Sequence, residues 1–117
     1  GKDYPIDTPI SEVCELPGTL CGAPTRALMD AALAFWYRNA DRKRYVFFGS
    51  GGIRNAEDVY RKIRLGASIV QIYTALIYNG PNIVRQLNTG LLGLLERDGF
   101  THIDQAVGVD NPLTIDY

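Results

Sequence analysis

The chain has 117 residues, 46% of them hydrophobic, with 12 Lys plus Arg against 13 Asp plus Glu and a formal charge of −1. That length admits one domain at most and falls well short of the roughly 250 residues of a complete (β/α)8 barrel. A near-neutral balance argues against nucleic acid, which selects a basic face, and the apolar content excludes a disordered chain.

Residues 1–24 carry four prolines and no sustained periodicity, so they read as a loop or an arm lying on a partner. Cys14 and Cys21 lie in this stretch. Their spacing allows a disulfide, and reduced thiols are the preferred state. A metal site needs further Cys or His nearby, and the sole histidine is the distant His102, so no metal is expected. The start, Gly1-Lys2-Asp3, lacks both Met and an Arg-rich, acid-poor transit stretch, and reads as a processed or truncated product. No run of about 18 apolar residues occurs, so no transmembrane helix is expected.

Pro24 and Thr25 open an amphipathic helix running through Tyr37, with Leu28, Ala32, Phe35 and Trp36 as its apolar stripe. Phe35 and Trp36 read as core or partner contacts. Asn39 to Arg44 form a charged surface turn. Tyr45-Val46-Phe47-Phe48 is a short apolar run rich in β-formers, predicted as a buried strand of the parallel type. Gly49-Ser50-Gly51-Gly52 stops it. Asn55 then caps a second helix, with Asp58 as a capping-box-like acid, Ala56, Val59, Tyr60 and Ile63 on one face, and Gly66 at its end. Glu57, Asp58, Arg61 and Arg64 are assigned to its solvated face.

Ser68 to Ile72 is the second predicted strand, and Asn79-Gly80-Pro81 a turn that starts the next helix. Ile83, Leu87, Leu91 and Leu94 mark that helix's buried face, weakened by Gly90 and Gly93 and ended by Gly99. Thr101 caps a last short helix over His102 to Val107, which leaves His102 on the surface. Asp110 to Tyr117 has no pattern. Strands alternating with helices indicate parallel β/α units. Two such strands cannot close a sheet, so an isolated stable monomer is not expected.

Two places carry candidate chemistry. Gly49-Ser50-Gly51-Gly52 joins a strand to a helix, where glycine permits close backbone approach and helix-start N–H groups favour an anion. A plain tight turn explains it equally well, and no Gly-Lys-Ser/Thr follows as in a Walker loop. Gln71-Ile72-Tyr73-Thr74 ends the second strand, and in barrels the loops after the last two strands commonly hold phosphate. Taken alone, Tyr73 reads as a packing residue. The two places lie one β/α unit apart, which strengthens the case for a shared anion site.

Phe48-Gly49-Ser50-Gly51-Gly52-Ile53, Lys62 through Leu76, Gly80-Pro81, and the later Asp98-Gly99-Phe100 and Gln105-Ala106-Val107-Gly108 together resemble the end of class 2, membrane-associated dihydroorotate dehydrogenase. Gly18-Thr19-Leu20-Cys21-Gly22-Ala23-Pro24 is similar to that family's Gly-Gly-Leu-Ser-Gly-Lys-Pro loop. The resemblance runs from about Glu15 to Val109. It implies an α/β fold, the C-terminal fragment of a TIM (β/α)8 barrel, with about two parallel strands and three to four helices completed by another chain. Residues 1–24 would be the arm, 25–109 the barrel units and 110–117 the tail.

The resemblance also implies FMN as cofactor. Cys21 and Gly22 would approach the flavin or its ribityl chain. Gly51, Gly52, Tyr73 and Thr74 would hold its phosphate. Tyr73, Leu76 and Pro81 would border a quinone channel. Two departures stand out: Thr19 replaces a glycine and Cys21 a serine, each expected to weaken flavin binding by around 1 kcal/mol. The family's serine base, flavin-polarising lysine and substrate-gripping asparagines lie earlier in its barrel and have no counterpart here. The expectation is therefore one piece of a split dihydroorotate dehydrogenase, joined by a complementary barrel-fragment chain, at the inner mitochondrial membrane. The alternative is a non-catalytic accessory subunit of a larger mitochondrial membrane assembly.

Overall fold

The computed structural model of the chain describes residues 18–111. Residues 1–17 of the predicted arm (1–24), Cys14 with its disulfide question, and residues 112–117 of the predicted tail (110–117) lie outside the described residues. A single 3-10 turn at Ala23–Thr25 leads into α1 (Arg26–Asn39), followed by β1 (Phe48–Gly49), α2 (Ala56–Leu65), β2 (Ile69–Val70), α3 (Thr74–Asn79) and α4 (Asn82–Arg97). A last 3-10 turn covers Ile103–Gln105.

The strands pair in parallel, Phe48 opposite Ile69 and Gly49 opposite Val70. Ser68 N donates to Phe47 O at 2.9 Å and Gln71 N to Gly49 O at 2.8 Å, which extends the ladder at both ends. Both strands are shorter than predicted, and the first is not buried: Val46 is 65% exposed, and Tyr45 and Phe48 lie open as well. A parallel sheet is buried only where elements cover both its faces, and two strands leave one face bare.

The core lies between α2 and α4, where Val59, Tyr60 and Ile63 meet Ile83, Leu87, Leu91 and Leu95. Leu94 was expected in this row, and Leu95 takes the place; Leu94 packs at the margin. Steps of four residues keep one ridge of α4 in phase against its neighbour. Gly90 has a packing reason, because a Cβ there would stand 2.5 Å from the Ala56 Cβ.

On α1 the predicted stripe faces outward. Leu33 and Ala34 are buried, whereas Leu28 and Phe35 are exposed and Trp36 is 59% exposed. Apolar residues lie on more than one side of this helix, so periodicity alone could not select the side that packs within the chain. The solvated face assigned to α2 also needs correction. Glu57 and Arg61 are exposed, but Asp58 is only 3% exposed and ion-paired to Arg26. Arg64 is partly covered and paired to two carboxylates.

Asn55 caps α2 as expected, its side chain accepting from Asp58 N at 2.9 Å. The last predicted helix contracts to one turn, and its cap is His102 instead of Thr101: the His102 Nδ1 accepts from Asp104 N at 3.3 Å. His102 is exposed, as expected. α3 was not predicted, because six residues are too few to show a helical period. Asn111, assigned to the patternless tail, is buried, and its side-chain amide donates to Ala34 O and Leu65 O at 2.9 Å each. One amide thus ties the second half of α1 to the carboxyl-terminal end of α2.

Candidate functional site

Three loops meet at the carboxyl ends of the two strands. They border a cavity of about 760 Å³, lined by residues 19–22, by Thr25 of the 3-10 turn and Met29 of α1, by residues 50–53 and by residues 71–74. The structure therefore brings six predicted site residues together: Cys21, Gly22, Gly51, Gly52, Tyr73 and Thr74. Leu76 and Pro81 do not line it; Leu76 lies on α3 and Pro81 stands just before α4.

Gly51 and Gly52 have φ of 84° and 74°, conformations that side-chain-bearing residues rarely adopt. Space forbids a side chain as well. A Cβ on Gly51 would stand 2.7 Å from Met29 Cγ, and one on Gly52 would stand 2.7 Å from Arg26 Cα. Gly22, at φ 88°, faces Thr74, whose Cγ2 would lie 3.2 Å from an added Cβ. Glycine at these positions lets the first loop approach Thr74 and the Gly51-Gly52 turn lie against the start of α1.

Among the described residues, the backbone N–H groups of Gly51, Gly52 and Tyr73 donate to no backbone carbonyl. Thr74 begins α3, where the first N–H groups have no partner within the helix. Hydroxyls of Thr25, Ser50 and Thr74 are nearby, and no lining residue is charged. Leu20, Met29, Ile53 and Ile72 form apolar wall. Tyr73 is 70% exposed at the mouth. Its expected role as ordinary packing is not what this chain shows.

The departures at 19 and 21 separate. No described residue other than glycine has positive φ, and the φ of 112° falls on Gly18, so Thr19 carries no backbone strain. Cys21 is exposed at the rim, its Sγ 3.7 Å from Thr19 O, a weak contact. Thr25 and Met29 were not anticipated. Thr25 Oγ1 donates to Gly22 O at 2.8 Å, a local bond for which a threonine three residues after a glycine was the only sequence signal.

The other titratable cluster lies at the far end of α2. Arg64 holds Asp110 through two bonds of 2.6 Å and Asp98 through one of 3.0 Å, and Tyr60 Oη donates to Asp98 at 2.7 Å. Bonds from Arg97 and Tyr60 hold the Asp98 carboxyl below its ordinary range. Arg64 does the same for Asp110. Burial, then the bond to Asp98, pushes the Tyr60 phenol up. No helix among the described residues is long and apolar enough to cross a membrane.

Two parallel β/α units whose strand ends share one glycine-built cavity define a segment of a β/α barrel at its ligand-bearing rim. Comparison with known proteins agrees. The family model described as dihydroorotate dehydrogenase matches residues 5–95. The chain belongs to the dihydroorotate dehydrogenase family. It is 48% identical over 93 residues to a dihydroorotate dehydrogenase (quinone) of Halobacterium salinarum, covering 80% of this chain and 26% of that protein. An Anaeromyxobacter protein of the same description is 50% identical over 93 residues, 80% of this chain and 25% of its own length. A ligand-free DHODH crystal structure from Eimeria tenella superposes with a TM-score of 0.78 at 32% identity, covering 93% of this chain and 31% of its own. The chain thus spans about a quarter of the length of the curated relatives quoted, 26% and 25%.

Proposed function

We propose that the chain forms the C-terminal β/α units of a quinone-type dihydroorotate dehydrogenase and supplies its FMN phosphate site, a companion polypeptide completing the barrel. The observation that carries this reading is the meeting of Gly22, Gly51-Gly52 and Tyr73-Thr74 around one cavity, with N–H groups that donate to no backbone carbonyl among the described residues. FMN fits the lining: a polar corner of N–H groups and hydroxyls suits a phosphate, and the apolar wall suits a ring system. When bound, it supplies the redox chemistry that takes dihydroorotate to orotate and delivers electrons to quinone.

The chain's own residues do the holding. Gly51, Gly52, Tyr73 and Thr74 offer N–H groups to the phosphate; a neutral lining leaves the backbone dipoles and hydroxyls as its counter-charge. Thr25, bonded to Gly22 O, fixes the loop that carries Cys21 toward the flavin side. Tyr73, with Leu76 and Pro81 further out, borders the approach for quinone. Quinones partition into bilayers, so we place the assembly at a membrane surface, the inner mitochondrial one in particular. The proton-abstracting base and the substrate-binding residues are assigned to the earlier part of the barrel.

Purification of the chain with its companion tests the reading. The expected preparation is yellow and releases stoichiometric FMN on denaturation. A colourless assembly whose companion lacks the serine base would establish the accessory-subunit alternative, which the weak Cys21 contact favours.

A further inference from the structure

The glycine turn rests on a pair of crossed ion pairs that the flavin chemistry does not use. On α1, Arg26 and Asp30 are one turn apart; on α2, Asp58 and Lys62 are one turn apart. Arg26 Nη1 reaches Asp58 Oδ1 at 3.1 Å, and Lys62 Nζ reaches Asp30 Oδ1 at 2.6 Å. Each helix therefore presents one cation and one anion, in opposite order, to the other. This two-rung ladder is largely withdrawn from water, Asp58 at 3% and Lys62 at 1% exposed. Buried pairs of this kind add little net stability over apolar packing, but they penalise any wrong register of the two helices.

The register matters because the turn sits on the ladder's cations. At one end of Gly49-Ser50-Gly51-Gly52, a Cβ on Gly49 would lie 3.0 Å from Lys62 Cδ. At the other end, a Cβ on Gly52 would lie 2.7 Å from Arg26 Cα. Asp58 Oδ2 also accepts from Arg54 N at 3.1 Å, two residues beyond Gly52 and next to Ile53 of the cavity wall. A sliding of α1 along α2 would therefore move both ends of the turn. On charge alone, a buried carboxylate behind an anion site opposes binding. Its presence there calls for a different role.

We infer that the Arg26–Asp58 and Asp30–Lys62 ladder positions the Gly51-Gly52 turn for phosphate, with Asp58 as the principal positioning residue. The inference rests on the proposed FMN site and deepens it. Asp58→Asn gives the two accounts opposite signs. A purely coulombic Asp58 predicts tighter FMN binding once its charge is gone. A positioning Asp58 predicts weaker binding, confined to the phosphate.

The test measures FMN and riboflavin affinity by fluorescence quenching, in the flavin-binding assembly containing wild-type chain, Asp58→Asn, Arg26→Gln or Arg26→Lys. The expected result is a loss of about tenfold for FMN in D58N and R26Q, corresponding to about 1.4 kcal/mol. Riboflavin, which lacks the phosphate, is bound unchanged, and R26K recovers much of the FMN affinity. If D58N does not assemble, the R26Q and R26K pair carries the same comparison from the more exposed side of the rung. Unchanged or tighter FMN binding in D58N overturns the inference, as does equal loss of both flavins, which is general damage. Wild-type assembly that binds neither flavin overturns the FMN reading itself and this inference with it.

Discussion

The two ends of α2 solve opposite problems. Among the described residues at its amino end, beside the strand termini, backbone N–H groups are left without carbonyl partners, no charged side chain lines the cavity, and glycines stand where the backbone presses on α1 and on Thr74. At its carboxyl end, about 15 Å away at 1.5 Å per residue, polar groups are consumed: Arg64 is shared by Asp98 and Asp110, and Asn111 bridges Leu65 of α2 to Ala34 of α1. A protein end that keeps donors unpaired is arranged for something else to accept from them. An end whose charged groups are tied to one another holds the fold. On the proposed function, the difference separates a ligand rim from a stability clasp within one ten-residue helix.

Substitutions in the two ends should therefore have separable effects. The largest is expected for Gly52→Val. Positive φ costs about 1–2 kcal/mol in a residue with a Cβ, and overlap with Arg26 adds to it. FMN affinity of the assembly should fall by at least about 30-fold in titrations, since each 1.4 kcal/mol is tenfold. Asn111→Ala acts at the other end. The Leu65 carbonyl at the end of α2 and the Ala34 carbonyl within α1 lose a buried donor, so unfolding free energy should fall by about 2 kcal/mol in denaturant melts, with FMN affinity unchanged. Loss of flavin binding there would erase the proposed division between the ends.

Acid should weaken the clasp. Asp98 and Asp110 have folded pKa values below their ordinary ones, so their contribution is fully present above the unfolded value. It is lost as pH falls through the folded values, below about pH 4. Thermal melts between pH 7 and pH 3 should show this acid limb, and Arg64→Ala should flatten it. The smallest effect belongs to Cys21→Ser. A hydroxyl is the better donor, so FMN binding should tighten by no more than about fivefold, for a hydrogen bond worth about 1 kcal/mol. Weaker binding in that variant would remove Cys21 from the flavin side.

Sequence and structure agree best where the physics is local. Asn55 as cap, Gly66 as stop, the order of strands and helices, and the glycine turn all depend on neighbours a few residues away. They disagree where a partner in space decides. Asp58 and Arg64 looked like surface charge until α1 and the segment ending at Asn111 supplied their partners. The cavity divides in the same way: its glycines were legible as turn residues, while Thr25 and Met29 join it only because α1 crosses beneath the turn.

The amino-acid order by itself thus determined the parallel β/α character, the caps and stops, and which short segments have the backbone freedom to bind an anion. Only the tertiary structure decided which face of α1 packs inward, that Leu95 outranks Leu94, and that three loops share one cavity. The reason is range. Backbone torsions and helix periods are set within a few residues, whereas burial and ion pairing depend on groups such as Arg26 and Asp58 that are 32 positions apart in the chain.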